Sequence, residues 1–145
     1  MSKTYTIYTA GKMGGLTYDE QMEWRLHLQN EIEGMTDANV KFIHPPNYYR
    51  YDKTYHKSEK EVMDWDLSHA INSDIVVVLL SNIHDSIGTH IEIGAINTAN
   101  RMGKQIYIIG VGRSDTAHPW IDLNLHRQED NIEDAADYIA KYLLV

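Results

Sequence analysis

The run Ile75-Val-Val-Val-Leu-Leu80 contains six residues, none polar and most of them β-branched. A run of that length and shape reads as a strand covered on both faces, and such strands belong to parallel sheets flanked by helices. It leads into an eight-residue polar stretch, Ser81 to Gly88. Thr89 then opens an expected helix, with Glu92 three residues on and Ile91, Ala95, Ile96, Ala99 and Met102 behind it. A buried strand thus feeds a loop, and the loop delivers a carboxylate to the first turn of a helix. In open α/β sheets that edge is where ligands bind.

The rest of the chain repeats the pattern. Thr4 to Ala10 alternates and is rich in Tyr, Thr and Ile, a first strand, and Gly11-Lys-Met-Gly-Gly15 turns the chain. Thr17 and Glu20 form a capping box for a helix from Tyr18 to about Ile32, ending near Gly34. Val40 to Ile43 is a short strand closed by His44-Pro45-Pro46. Asn47 to His56 is aromatic, polar and aperiodic, a long loop of the kind that serves as a lid or binding loop. Ser58 and Glu61 form a second capping box, for a helix to about Asn72 with an apolar stripe of Val62, Met63, Leu67, Ala70 and Ile71. Gly103 stops the Thr89 helix, and Gln105 to Ile109 is a fourth strand. Val111 to Asp122 is a second long loop, a short strand lies near Leu125, and Asn131 caps a last helix from Ile132 to Leu144.

Strands alternating with helices give βαβ units. The expected fold is a single flavodoxin-like (Rossmann-like) α/β domain over residues 1–145, a doubly wound five-stranded parallel sheet of order 2-1-3-4-5. Its crevice lies between the first and third strands, flanked by the Gly11–Gly15 and Ser81–Gly88 loops.

A net charge of −8 excludes nucleic-acid polymers and anionic membranes as main partners, though not a small phosphorylated ligand. There is no cysteine, hence neither a disulfide framework nor a thiol nucleophile. The chain has no apolar run long enough to span a bilayer, and its N-terminus lacks the pattern of a signal peptide. A soluble cytoplasmic protein is expected. The eight histidines show no metal-ligand spacing, so no metal is expected, and no cofactor either.

Two carboxylates stand out. Glu92 completes a T-x-x-E pattern, which is itself a capping box. Alternatively it leans toward the sheet with Ile96 and Ala99, where the helix dipole would hold it ionised as a nucleophile. Asp66 lies four residues from both Val62 and Ala70, in the stripe that must face the sheet. An unpaired buried carboxylate costs several kcal/mol, so Asp66 needs a partner or a purpose. Gly11 to Gly15 is neither G-x-G-x-x-G nor a P-loop, and reads as a plain turn or a weak ligand loop. Tyr48, Tyr49 and Tyr51 either stack on a base or pack the long loop.

Taken together, Ile7-Tyr8-Thr-Ala-Gly11, Asp66-Leu67 with Asn72-Ser-Asp74, Ser86-Ile-Gly-Thr-His-Ile-Glu-Ile-Gly94, and Gly103-Lys104 resemble the nucleoside 2-deoxyribosyltransferase family. The resemblance implies a double displacement. Glu92 would attack the anomeric carbon, Asp66 would be the acid/base, and Tyr8 would orient the nucleophile, the division of labour of retaining glycosidases. The family's transferases typically carry an aspartate six residues before the nucleophile. A sister branch, the 2′-deoxynucleoside 5′-phosphate N-hydrolases, has serine there, as here at Ser86, though Asp85 is adjacent.

The resemblance therefore implies a small-molecule nucleotide or nucleoside substrate. Gly11, Lys12, Ser86 and Gly88 would bind it, and Lys12 stands in for the arginine that the phosphate-binding branch tends to have. It also implies a homodimer or larger homo-oligomer that completes the pocket through the loop after the fourth strand, with His118 the candidate contact. Two other readings fit the fold: a non-catalytic sensor of a nucleotide or ADP-ribose-like ligand, and a flavin-holding protein.

Overall fold

The computed structural model describes residues 3–49, 56–115 and 118–145. Five strands, β1 (Thr4–Ala10), β2 (Asn39–Ile43), β3 (Ile75–Leu79), β4 (Tyr107–Val111) and β5 (Arg127–Glu129), form one parallel sheet in the order β2-β1-β3-β4-β5. The expected topology is the observed one. Tyr8 of β1 lies opposite Ile43 of β2 on one side and Val76 of β3 on the other, so the backbone of the candidate tyrosine is paired on both sides within the sheet.

The period-two alternation of the strands sorts the core into two layers. Ile7, Ile75, Val77 and Ile109 pack against Leu28 and Ile32 of α1 (Tyr18–Met35), Ala135 of α5 (Ile132–Tyr138) and Ile139 just beyond it. On the other face Tyr8, Ala10, Val76, Val78 and Ile108 pack against Ala70 of α2 (Glu59–Ile71) and Ile93 and Ile96 of α3 (Ile87–Arg101). Tyr8 therefore projects into the α2–α3 layer, and Thr9 into the α1 layer.

Local chemistry explains most of the boundaries. Thr17 and Glu20 make the full capping box at α1. Ser58 accepts from the Glu61 amide, but the Glu61 carboxylate accepts from Lys57 instead of closing a second box. Gly103 follows α3 at φ +109°, a conformation open to glycine at little cost, and so ends the helix.

Several boundaries differ from expectation. The helix carrying Glu92 starts at Ile87, not Thr89, and the polar stretch before it holds a 3₁₀ turn, Ile83–Asp85, anchored by buried Ile83. β4 lies two residues later than expected, because Ile106 is buried ahead of it and Gly110 and Val111 still pair with β3. β5 begins at Arg127, beyond Leu125. The loop after β4 contains a short helix, α4 (Pro119–Leu123), and the last helix turns to π geometry over Ile139–Leu143. Met63, Ile91 and Met102, assigned to inward stripes, are exposed because Ala70, Ile93 and Ile96 already fill the sheet-facing positions. Most of the expected lid, including Tyr51, lies outside the described residues, as does Ala117 beside His118. Among the described residues no helix is long and apolar enough to cross a membrane.

Candidate active site

The buried face of α3 is Thr89, Glu92, Ile93 and Ile96, the i, i+3, i+4, i+7 spacing of a helical stripe. With Ser86 at the N-cap, Thr89 is the third helical residue and Glu92 the sixth. The Thr89 hydroxyl bonds the Ser86 hydroxyl at 2.6 Å rather than capping a helix. The capping-box reading of Glu92 therefore fails, and so does the expectation that the dipole holds it ionised, since that field fades beyond the first turn.

Glu92 points instead at β1. The Tyr8 hydroxyl donates to its Oε2, with both side chains buried. Glu92 also lines a cavity of about 180 Å³ together with Val62, Asp66 and Leu67 of α2 and Gly88 and Ile91 of α3. The two candidate carboxylates thus share one small chamber, the geometry that a divided nucleophile and acid/base need.

Burial sets their electrostatics. Desolvation raises Glu92 from the ordinary 4.5 to about 7, with the Tyr8 hydrogen bond pulling down, the Asp66 charge pushing up and the Arg25 charge pulling down. Desolvation raises Asp66 from 3.8 to about 6, opposed by His56 and Arg25. Burial first, then the two carboxylates, push the Tyr8 phenol far above its usual value, so it remains a donor at any working pH. Perturbed titratable groups gathered in one cavity mark functional sites.

The remaining candidates divide. Lys12, in the loop after β1, pairs with Asp85 Oδ2 at 2.5 Å, joining the two loops that flank the crevice. His84 is bonded in turn to Asp115, after β4. Ser86 is buried at the start of α3, and Gly88 opens onto the cavity with nothing within 4 Å of where a Cβ would stand. Gly11 is glycine for a packing reason, since a Cβ there would meet Trp24 Cζ2 at 2.9 Å. His118 caps α4, its Nδ1 accepting from the Trp120 amide at 3.2 Å, and does not line the cavity. Tyr48 packs at a tilt against Trp65 with ring centroids 4.3 Å apart, and Trp65 also meets His69 at 3.8 Å and His56 at 6.5 Å, so Tyr48 packs the loop onto α2. Tyr49 reaches Glu59 at 3.4 Å.

One possible ligand set for a metal exists among the described residues: His27, Glu31 and Glu133, on the surface where α1 meets α5. His27 Nε2 lies 3.0 Å from Glu133 and 3.6 Å from Glu31, so the three side chains are already within ion-pair range of one another.

The sequence reading missed Arg25. The buried residues of α1 are Gln21, Met22, Arg25, Leu28 and Ile32, so an arginine sits in the inward stripe. That signal was available in the spacing alone. Its guanidinium bonds the Thr9 hydroxyl at 3.1 Å and the carbonyls of Gln21, Gly11 and Thr9 at 2.5, 3.3 and 3.5 Å.

No protein-family model matches the chain, and no curated protein matches it in sequence. Solved structures do. A 2-deoxyribosyltransferase from Bacillus psychrosaccharolyticus superposes with TM-score 0.67 at 18% identity, over 92% of this chain and 91% of that one. The fold is shared. A conserved protein from Enterococcus faecalis gives 0.66 at 17% identity, over 94% and 98% of the two chains. A CMP N-glycosidase from Clostridium botulinum gives 0.56 at 16% identity, over 94% and 98%. At these identities the likeness speaks for the fold, and the chemistry rests on the site.

Proposed function

We propose that this chain cleaves the N-glycosidic bond of 2′-deoxynucleoside 5′-monophosphates or deoxynucleosides, passing the sugar to water or to a second base. The observation that carries the reading is the buried Tyr8–Glu92 hydrogen bond on the wall of the cavity that also holds Asp66. A binding module has no use for two desolvated carboxylates and a tyrosine aimed at one of them. The names of two structures sharing the fold, a deoxyribosyltransferase and an N-glycosidase, support the same class of chemistry.

In the first half-reaction a Glu92 oxygen forms a bond to C1′ as the C1′–N bond breaks. The bonding pair leaves with the base, which takes the proton of Asp66. In the second, the Asp66 carboxylate removes a proton from water or from an incoming base, which attacks C1′ and releases Glu92. Tyr8 fixes the attacking carboxylate and, by donating to its anionic form, offsets part of the desolvation that opposes ionisation.

A 5′-monophosphate is the preferred substrate. The hydroxyl of Ser86 and open Gly88 stand at the start of α3, where a phosphate gains from helix amides. Lys12, far away in sequence, is brought beside this loop by its pairing with Asp85, so a phosphate must draw it away. A free nucleoside would instead hydrogen-bond the Asp85 carboxylate, and base exchange between free deoxynucleosides is the second reading. The exposed apolar side chains Ile87, Trp120 and Leu123 support a homodimer or larger assembly, in which a second copy would bring His118 to the pocket.

Chromatography of free base from a panel of deoxynucleosides and their 5′-monophosphates, with and without an acceptor base, separates these readings. Release from monophosphates without acceptor makes the protein an N-hydrolase. Exchange from nucleosides only with acceptor makes it a transferase. Thermal stabilisation by nucleotides with no turnover makes it a sensor, and a coloured purified protein makes it a flavin carrier.

A further inference from the structure

Behind the candidate site, on the face of β1 opposite Tyr8, lies a buried polar chain that the proposed reaction does not use. Arg25 and Thr9 are both 0% exposed and His44 is 3% exposed. The His44 Nε2 lies 2.7 Å from Gln29 Oε1, which can only accept, so that nitrogen carries the proton. Nδ1 is then the acceptor for the Thr9 hydroxyl at 2.8 Å. Thr9 in turn accepts from Arg25 Nε at 3.1 Å. The Thr9 hydroxyl also lies 3.4 Å from the Ile43 carbonyl, and with His44 neutral every donor in this chain meets an acceptor. Burial and then the Arg25 charge hold His44 down at about 4, which keeps it so. The chain therefore carries one fixed positive charge, at Arg25.

The guanidinium stands where that charge matters. Its bonds to the carbonyls of Thr9, in β1, and Gly11, just past it, grip the strand end directly after Tyr8, the donor to Glu92. We propose that Arg25 is a positioning residue of this site: it clamps the end of β1 that presents Tyr8, and it places a buried positive charge behind the strand that carries the donor to Glu92.

Without such a charge, desolvation alone would leave both carboxylates protonated to still higher pH, and no anion would be ready to attack. Arg25 lowers both groups, and lowers the Tyr8 phenol too. The other groups facing the pair are Tyr8 from β1, His56 ahead of α2, and Glu59 of α2 in the same cavity. His44, directly after β2, is close enough to feel the guanidinium and stays neutral above about 4, so it does not compete. A lysine would keep the charge but not the fork that bonds three carbonyls and a hydroxyl at once.

The inference rests on the catalytic reading of the pair, so its test does not depend on turnover. Protein labelled with ¹³C in the Asp and Glu side-chain carboxyls is titrated by NMR, as wild type and as Arg25→Met, Arg25→Gln and Arg25→Lys. The expected result is that Glu92 and Asp66 titrate roughly half a pH unit or more higher in the Met and Gln variants and near wild type in the Lys variant. Unchanged midpoints in a folded Met or Gln variant would overturn the proposal. So would loss of the folded state in both, which would make Arg25 a purely structural residue. Shifted midpoints in a protein that releases no base would sustain the electrostatic role and reject the proposed reaction instead.

Discussion

The Tyr8 hydroxyl donates to Glu92 Oε2 across 84 residues of sequence, from the middle of the sheet to the second turn of α3. That bond aims Glu92 into the cavity and favours its anion. Tyr8→Phe removes it without changing the ring. A hydrogen bond to a charged group contributes about 1.5–3 kcal/mol, so kcat/KM for base release should fall roughly 10- to 100-fold. Circular dichroism and base-release kinetics on one preparation would check this.

The acid limb of that reaction should move as well. Glu92 and Asp66 titrate as a pair near about 7 and about 6. The working form has one proton on the pair, on Asp66 with Glu92 ionised; because Glu92 titrates the higher of the two, this is the minor singly protonated form, and its population rises and falls with that of the singly protonated pair. Wild-type kcat/KM should therefore peak between about pH 6 and 7 and fall on both sides. In Tyr8→Phe the Glu92 anion loses its donor, so the maximum should shift upward.

Stability should run the other way. Both folded carboxyls titrate above their ordinary values, so the native state binds more protons than the unfolded chain as pH rises from about 4 to about 7. Their contribution is fully present below about pH 4 and is lost as pH passes through about 6 and about 7. Glu92→Gln and Asp66→Asn should then be more stable than wild type at pH 8, by roughly 1–3 kcal/mol, with the gain vanishing near pH 4. Denaturant titrations at the two pH values measure it.

Substrate preference should respond to the paired loops. Asp85→Asn releases Lys12 from its 2.5 Å contact and should raise the ratio of monophosphate to nucleoside turnover. Ser86→Asp places a carboxylate at the start of α3 and should lower that ratio. Competition assays with both substrates in one vessel read the change directly.

Gly11→Ala should destabilise the fold by roughly 1–3 kcal/mol through overpacking against Trp24. The fall in melting temperature should be much smaller in Gly11→Ala combined with Trp24→Leu.

The fold was legible because its signals are local. The β-branched run at Ile75, the caps at Thr17, Ser58 and Asn131, and the stop at Gly103 all act over a few residues. Asp66 was legible for the same reason, as a carboxylate in an apolar stripe. The start of α3 was not, because Ser86 makes no side-chain cap and buried Ile83 decides where the 3₁₀ turn ends. The partner of Glu92 entered only through family resemblance, since no spacing rule links residues 84 positions apart. The resemblance makes Lys12 a substrate contact standing in for an arginine, whereas Asp85 holds it, a pairing that exists only once the sheet brings two loops together. Arg25 obeyed a visible rule, a charge inside the stripe of α1, that was applied to Asp66 alone.

The most direct measurement is free base released from 2′-deoxynucleoside 5′-monophosphates and deoxynucleosides by wild type and by Glu92→Ala, each verified as folded. Release by wild type and none above the uncatalysed rate by Glu92→Ala is the expected result. Equal release by both, or none from any substrate by wild type, would contradict the assignment of Glu92 as the nucleophile of an N-glycosidic cleavage.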